Sequence, residues 1–146
     1  MRILTTTGYF SIIYSSVQSS HGSETRMKSI LIVDDSEMAR AAMCFSLRIK
    51  NYTVVDTASA KEAIAKLGGT GDIGLIITDL NMPEMNGIEL IKHIREVMGN
   101  KTIPIFVLTT DDSAGKDVLG KGATGFLLKS SKTSEEVHKI VKQYIG

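Results

Sequence analysis

The sequence predicts an α/β protein in which a doubly wound, five-stranded parallel sheet carries helices on both faces. Short, continuous apolar runs are typical of strands that are buried on both faces, and helical segments separate these runs along the chain. The connections are short, so right-handed crossovers between parallel strands are the simplest topology. Ligands of such sheets bind at the carboxyl ends of the strands, which is where a functional site is expected.

Five apolar runs predict the strands. In chain order they are Ile30–Val33, Thr53–Val55, Leu75–Thr78, Ile103–Leu108 and Gly125–Leu128. The second run consists of β-branched residues, and the others lack the polar alternation of a half-exposed strand. Proline and glycine mark residues 81–87 as a loop between the third strand and the helix that follows it.

Five segments of good helix formers or with an apolar stripe predict the helices. In chain order they are Glu37–Ile49, Ala60–Leu67, Ile88–Met98, Ser113–Gly120 and Glu135–Tyr144. Serine side chains are predicted to cap three of these helices at Ser36, Ser59 and Ser134. The fourth helix is the weakest, because Gly115 interrupts it, and we expect this helix to be short and mobile.

The chain has the size and composition of one globular domain. Its 146 residues are 42% hydrophobic and 23% charged, which excludes a disordered or fibrous protein. A net charge of +1 gives no field for wrapping nucleic acid, and no apolar run is long enough to cross a membrane. The single cysteine, Cys44, excludes an intrachain disulfide and a cysteine-cage zinc site, so we expect a cytoplasmic protein.

Residues 1–26 differ from the rest of the chain. Polar residues interrupt their apolar stretch, which argues against a signal peptide. Met27 stands just before the first apolar run, so we expect residues 1–26 to be an N-terminal extension, disordered or not native, and residues 27–146 to be the folded domain. Alternatively, residues 9–14 could add a strand or contact a partner.

The residues that follow the strands carry the chemistry. Asp34 and Asp35 follow the first strand, Asp79 the third, Thr109 the fourth and Lys129 the fifth. Each alone is more often a cap or a turn residue, but together they lie at one edge of the sheet. Crowded carboxylates repel unless a cation is present, and a hard divalent metal with oxygen ligands is the simplest cation. The histidines have no metal-ligand spacing: His21, His93 and His138.

These residues identify a family resemblance. The sequence resembles the receiver domain of two-component response regulators, of the stand-alone CheY-like type, from Met27 to about Ile145. The resemblance rests on the acidic pair, Thr109, Lys129 and the run Asp79-Leu80-Asn81-Met82-Pro83-Glu84-Met85-Asn86-Gly87. It implies the flavodoxin-like strand order 2-1-3-4-5 and Mg²⁺-dependent phosphorylation of an aspartate.

The resemblance implies a role for each residue at this edge. Asp79 would be the phosphoacceptor and, with Asp35 and the backbone carbonyl of Asn81, a ligand of Mg²⁺. Asp34 would belong to the metal site mainly through water. Lys129 would pair with Asp79 and then with the phosphoryl oxygens.

Further residues carry roles in switching. Thr109 would hydrogen-bond the phosphoryl group once it arrives, and that movement would be the switch. Phe126 would swing inward as Thr109 moves. Alternatively, its ring is an ordinary side chain of the hydrophobic core. Asp111 would tune the loss of the phosphoryl group, or it is an exposed helix cap. Two departures from the family pattern are Ser130, where the family has a proline joined by a cis bond, and the short, glycine-rich segment 111–122.

The resemblance implies a signalling protein that is not an enzyme acting on a separate substrate. A histidine kinase or phosphotransfer protein would dock near Met38 and Arg40, unless these form only a mixed solvent-exposed face, and would phosphorylate Asp79. A downstream protein target would bind the changed surface, in chemotaxis or in a phosphorelay. No effector domain follows Gly146, so output would be through protein–protein contact, without nucleic acid or membrane insertion. One alternative is a degenerate receiver that binds partners without phosphorylation. Another is an aspartyl-phosphate hydrolase, but Asp79-Leu80-Asn81 lacks the second aspartate that this class uses.

Overall fold

The structure, a computed structural model, describes residues 27–69 and 71–146. One five-stranded parallel sheet lies at its centre, with the strand order β2-β1-β3-β4-β5. The strands are β1 (Ser29–Val33), β2 (Val54–Thr57), β3 (Ile73–Asp79), β4 (Ile105–Thr109) and β5 (Gly125–Leu128). The predicted fold class and strand order are therefore confirmed. The predicted extension, with its alternative strand at residues 9–14, lies outside the described residues.

Helices connect the strands in the alternating pattern that the sequence predicts. They are α1 (Glu37–Arg48), α2 (Ala60–Gly69), α3 (Gly87–Lys92), α4 (Asp112–Leu119) and α5 (Thr133–Tyr144). The helix α3 continues as a π-helical turn over His93–Val97, where the sequence predicted one uniform helix to Met98. Within the part of the chain that the structure describes, no helix is long and apolar enough to cross a lipid bilayer.

Alternate residues of the strands build two hydrophobic cores, one on each face of the sheet. In β1, Leu31 and Val33 pack in the core that α2, α3 and α4 share. Ile30 and Ile32 pack in the opposite core with α1 and α5. All four side chains are at most 2% exposed. Burial on both faces is the physical reason why the strand sequences are continuously apolar.

Two of the three predicted serine caps are confirmed. The side chains of Ser36 and Ser59 accept backbone N–H groups of the first helical turn. The prediction for Ser134 is wrong, because α5 begins at Thr133 and Ser134 therefore lies inside the helix. The Thr133 hydroxyl accepts the N–H of Ser130 at 2.7 Å, whereas the Ser134 hydroxyl donates to Ser46 of α1 at 3.3 Å. The strand-to-helix turn therefore fixes the start of α5, and Ser134 joins two helices.

Candidate functional site

The register of the sheet brings the ends of four strands to one edge. In the parallel pairing, Val33 lies opposite Thr78 and Thr109 lies opposite Leu128. Asp79 is the last residue of β3. The side chains that follow β1 and β5 and those that end β3 and β4 therefore lie side by side, as the sequence predicts. The remaining strand, β2, lies at the edge of the sheet beside β1, and its end contributes no residue to this group.

Three carboxylates form a cluster at this edge. One oxygen each of Asp34, Asp35 and Asp79 lies within 4.8 Å of the others. Asp34 and Asp79 are buried, and Asp35 is exposed. Burial raises the pKa of the Asp34 carboxyl, and the charges of Asp79 and Asp35 raise it further, against the opposing effects of the Ser36 N–H, at 2.9 Å, and of Lys129. Without a cation, the third negative charge in this cluster is costly.

The donor set of this cluster fits a magnesium ion. Carboxylate oxygens are the ligands that Mg²⁺ prefers, and two ligands on opposite sides of the ion are about 4.2 Å apart. The three carboxylate oxygens all lie within 4.8 Å of one another, which is compatible with that span. Asn81 lies exposed in the loop two residues after Asp79, and its role as a carbonyl ligand stays a prediction. Among the described residues, Asp34, Asp35 and Asp79 are the one group of three or more acidic, histidine or cysteine side chains that could hold a metal ion.

Lys129 supplies the positive charge next to the predicted phosphoacceptor. Its Nζ lies 2.7 Å from Oδ1 of Asp79, and the backbone N–H of Leu80 donates to the same oxygen at 3.0 Å. The Lys129 side chain is 36% exposed and that of Asp79 is 9% exposed, so the ion pair faces the solvent from one side only. No peptide bond among the described residues is cis, so the Lys129–Ser130 bond is trans and the ammonium still reaches Asp79.

The hydroxyl of Thr109 has a partner within its own loop. Thr109 is buried, and its Oγ1 accepts the backbone N–H of Asp111 at 3.2 Å. The Asp111 side chain in turn accepts the N–H of Ser113 at 2.9 Å and caps α4. Asp111 therefore takes the cap position that was one of its two interpretations, and its tuning of the phosphoryl group stays a prediction. Movement of Thr109 toward Asp79 would disturb the start of α4.

Phe126 lies half-buried against the core on the α4 face of the sheet. A side chain at Gly115 would overlap the ring carbons Cδ2 and Cε2 of Phe126. The glycine that the sequence analysis treated only as a helix interruption therefore leaves the space that the ring occupies. Sequence reasoning missed this function, because a glycine gives no signal about which neighbour fills the space above it.

Gly87 holds the loop after Asp79 close to the end of β3. A Cβ atom at Gly87 would lie 2.7 Å from the backbone oxygen of Asp79 and 3.1 Å from Cα of Leu80. The Gly87 N–H donates to the Leu80 carbonyl at 2.8 Å. Asn86 and Glu89 then form a reciprocal capping box that starts α3. The loop that contains Asn81 is thus anchored at both ends.

Comparisons with known proteins agree with this fold. The two-component response regulator ORR5 of Oryza sativa subsp. japonica is 36% identical over 108 residues, which is 73% of this chain and 81% of that protein. The chemotaxis response regulator CheY4 of Vibrio cholerae superposes with a TM-score of 0.72 at 33% identity, over 81% of this chain and 98% of that one. A response regulator receiver protein from Pseudomonas putida gives a TM-score of 0.69 at 31% identity, over 81% and 98% of the two chains.

The family itself is established by a match along most of the chain. Residues 30–142 match the family described as the response regulator receiver domain. That range begins in β1, ends in α5 and contains every residue of the site. The protein belongs to the receiver-domain family of two-component response regulators.

Proposed function

We propose that this protein is a response regulator whose receiver domain accepts a phosphoryl group on Asp79 from a histidine kinase or a phosphotransfer protein. The observation that carries the proposal is the 2.7 Å pair of Lys129 with Asp79 beside the three-carboxylate cluster. A nucleophilic carboxylate, a neighbouring ammonium and a group of oxygen ligands are the parts that phosphoryl transfer requires. All of them lie at the same edge of the sheet.

The transfer follows from these parts. A carboxylate oxygen of Asp79 attacks the phosphorus of a phosphohistidine in line with the P–N bond. That bond breaks, an acyl phosphate forms, and the donor imidazole leaves with the electron pair and takes up a proton. Lys129 exchanges its bond to the free carboxylate for a bond to a phosphoryl oxygen. Asp35, Asp79 and the Asn81 carbonyl, with Asp34 acting through water, would hold Mg²⁺, which would supply positive charge to offset that of the phosphoryl oxygens.

The switch starts with a change of partner for the Thr109 hydroxyl. At present that hydroxyl accepts the N–H of Asp111. When it turns to the phosphoryl oxygen, the N–H at the cap of α4 loses its acceptor, and α4 is a short helix with Gly115 in its interior. A local change of charge is thereby passed to α4 and β5, where Phe126 lies. A downstream protein would bind this altered surface.

The wider role is proposed at the level of the family. The protein acts in the cytoplasm as a signalling module, in a chemotaxis-type pathway or in a phosphorelay, without contact to nucleic acid or insertion into a membrane. Residues 27–146 are proposed as the receiver domain and residues 1–26 as an extension to it. The match to the receiver family over residues 30–142 supports this division. The protein would catalyse only its own phosphorylation and dephosphorylation.

Intact-protein mass spectrometry tests the proposal directly. The protein is incubated with acetyl phosphate, with Mg²⁺ or with a chelator, and the same is done for Asp79→Asn. One phosphoryl group should add to the wild type only when Mg²⁺ is present, and none should add to Asp79→Asn. Asp117→Asn is the matched control, because it removes an exposed carboxylate of α4 that lies outside the cluster. It should be phosphorylated like the wild type.

The opposite result has a defined meaning. If the wild type gains no phosphoryl group and also fails to bind beryllofluoride, the phosphorylation proposal is wrong. The degenerate receiver, which binds partners without phosphorylation, then becomes the better explanation, and Ser130 in the place of the family proline would be its sequence marker. An adduct that persists in Asp79→Asn would assign the phosphoacceptor to another residue.

A further inference from the structure

We propose that Arg40 is a positioning residue for the metal site, an inference that rests on the proposed function. Arg40 lies in the first turn and a half of α1, and its side chain is only 17% exposed. Its Nη1 donates to the backbone carbonyl of Asp34 at 2.7 Å. That carbonyl belongs to the peptide group joining Asp34 to Asp35, so one guanidinium nitrogen holds the link between two of the three clustered carboxylates.

The same guanidinium is anchored a second time. Its Nε donates to Oδ2 of Asp56 in β2 at 3.3 Å. The other oxygen of Asp56 accepts from Arg48 at 3.1 Å, and Arg48 also donates to the carbonyl of Val54 at 3.2 Å. Asp56 is therefore held in place by the next arginine along α1. Arg40 thus braces the acidic pair against a fixed point on the neighbouring edge strand.

The brace matters most for Asp35. Asp34 is buried, and its carboxylate accepts the Ser36 N–H at 2.9 Å. Asp35 is exposed, and within the described residues no side-chain hydrogen bond fixes its carboxylate. The direction in which its side chain leaves the backbone depends on the orientation of the preceding peptide group. Arg40 fixes that orientation, and groups that orient metal ligands in this way commonly change metal affinity by about 10–100-fold.

Arg40 could affect metal affinity by positioning the ligands or only through its positive charge, and these two explanations predict opposite changes in affinity when Arg40 is removed. A cation near a cluster of carboxylates repels a divalent metal, so removing its charge alone would strengthen metal binding. Removing a brace would weaken metal binding, because the ligands would then have to be ordered when the metal binds. The sign of the change in affinity therefore separates the two explanations.

The experiment measures binding of Mn²⁺ by electron paramagnetic resonance on the full chain, with Mg²⁺ added as competitor. Arg40→Gln should weaken Mn²⁺ binding by about tenfold. Lys139→Gln is the control, because it removes one positive charge, paired with Glu135 of α5, and leaves both contacts of Arg40, with the Asp34 carbonyl and with Asp56, in place. It should bind Mn²⁺ within about twofold of the wild type or more tightly. Thermal unfolding with a chelator checks that each variant is folded.

Arg40→Lys decides the question if Arg40→Gln does not fold. It keeps the charge but replaces two separated donors by one ammonium, which cannot join the Asp34 carbonyl to Asp56 as the fork does. Weaker Mn²⁺ binding by Arg40→Lys supports the inference, and binding equal to that of the wild type overturns it. Equal or tighter binding by Arg40→Gln also overturns it while leaving the proposed function intact. Absence of Mn²⁺ binding by the wild type would overturn both.

Discussion

The contact between Gly115 and Phe126 gives a stability prediction whose sign the sequence alone gets wrong. Gly115 lies in the interior of α4, where alanine is the better helix former by about 0.5–1 kcal/mol. On helix propensity alone, Gly115→Ala should stabilise the protein. In the structure, the added Cβ atom would overlap two ring carbons of Phe126 and lie 2.7 Å from a third, Cγ. The ring or the helix would have to move.

The two effects differ enough in size to decide the result. Forcing an extra carbon into a packed site costs about 1–3 kcal/mol. After subtraction of the gain in helix propensity, we expect Gly115→Ala to lower the free energy of unfolding by about 1 kcal/mol. For a domain of this size, that corresponds to a fall in melting temperature of about 3–5 °C. Gly115 is therefore expected to stabilise the protein by the space it leaves, although it weakens its own helix.

Urea and thermal denaturation of four variants, Gly115→Ala, Gly120→Ala, Phe126→Leu and the Gly115→Ala/Phe126→Leu double variant, measure this. Gly120→Ala is the matched control, because a Cβ atom there would make only an ordinary contact of 3.6 Å with the Asp117 carbonyl. It should be neutral or slightly stabilising. Combining Gly115→Ala with Phe126→Leu should recover at least about 0.5 kcal/mol relative to the sum of the single changes, because the smaller side chain leaves space. A Gly115→Ala protein as stable as the wild type, or strict additivity in the double variant, would refute the reasoning.

Three further predictions follow from the same contacts. Gly87→Ala should cost about 2 kcal/mol or more and prevent phosphorylation by acetyl phosphate, because its Cβ atom would lie 2.7 Å from the backbone oxygen of Asp79; full phosphorylation by mass spectrometry would contradict this. Asp111→Ala should cost about 1 kcal/mol in urea denaturation through loss of the α4 cap, whereas Asp111→Asn, which keeps the acceptor, should cost little. Burial raises the pKa of Asp34 above its usual value of 3.8 in the folded protein. In the metal-free protein, the stability that this shift contributes is therefore fully present below pH 3.8 and is lost as the pH rises through the raised pKa. Asp34→Asn should then be more stable than the wild type near pH 7 with a chelator and gain less from Mg²⁺; equal melting temperatures in chelator would contradict this.

The sequence predicts which side chains meet at this edge of the sheet, because in a parallel sheet the residue that follows each strand lies at the same edge. Parallel strands buried on both faces can be recognised from their apolar runs, and the residue after each run must lie at one common edge. The sequence therefore predicts that Asp34, Asp79, Thr109 and Lys129 lie together, and the structure places them together. The predicted ends of these strands needed to be right by only a residue or two, because the polar residues themselves mark where each strand stops.

The features that the sequence did not predict depend on individual contacts that the pattern of apolar and polar residues does not reveal. The π-helical turn after α3 places Arg95, whose Nε donates to the Gly122 carbonyl at 3.0 Å, and no local pattern signals that bond. The hydrogen bond from Arg40 to the Asp34 carbonyl spans only six residues, but it depends on the direction in which α1 leaves the end of β1. The predicted cap at Ser134 is wrong because α5 begins at Thr133, after Lys132, which occupies the cap position without a side-chain hydrogen bond. The sequence pattern did not signal a helix that starts without a hydroxyl cap.

The acidic side of the site and the Thr109 side differ in how they are held in place. The acidic side is fixed: Gly87 allows the loop to pack on the end of β3, and the Asp34 carbonyl is held by Arg40. The side of Thr109 is held by a 3.2 Å hydrogen bond to the Asp111 N–H, at the start of a helix of eight residues. Under the proposed function, a phosphoryl group on Asp79 would therefore lie between a braced acidic backbone and a replaceable hydrogen bond. Because the replaceable bond lies on the α4 side, the structural response should spread toward α4 and β5 and leave the metal ligands in place.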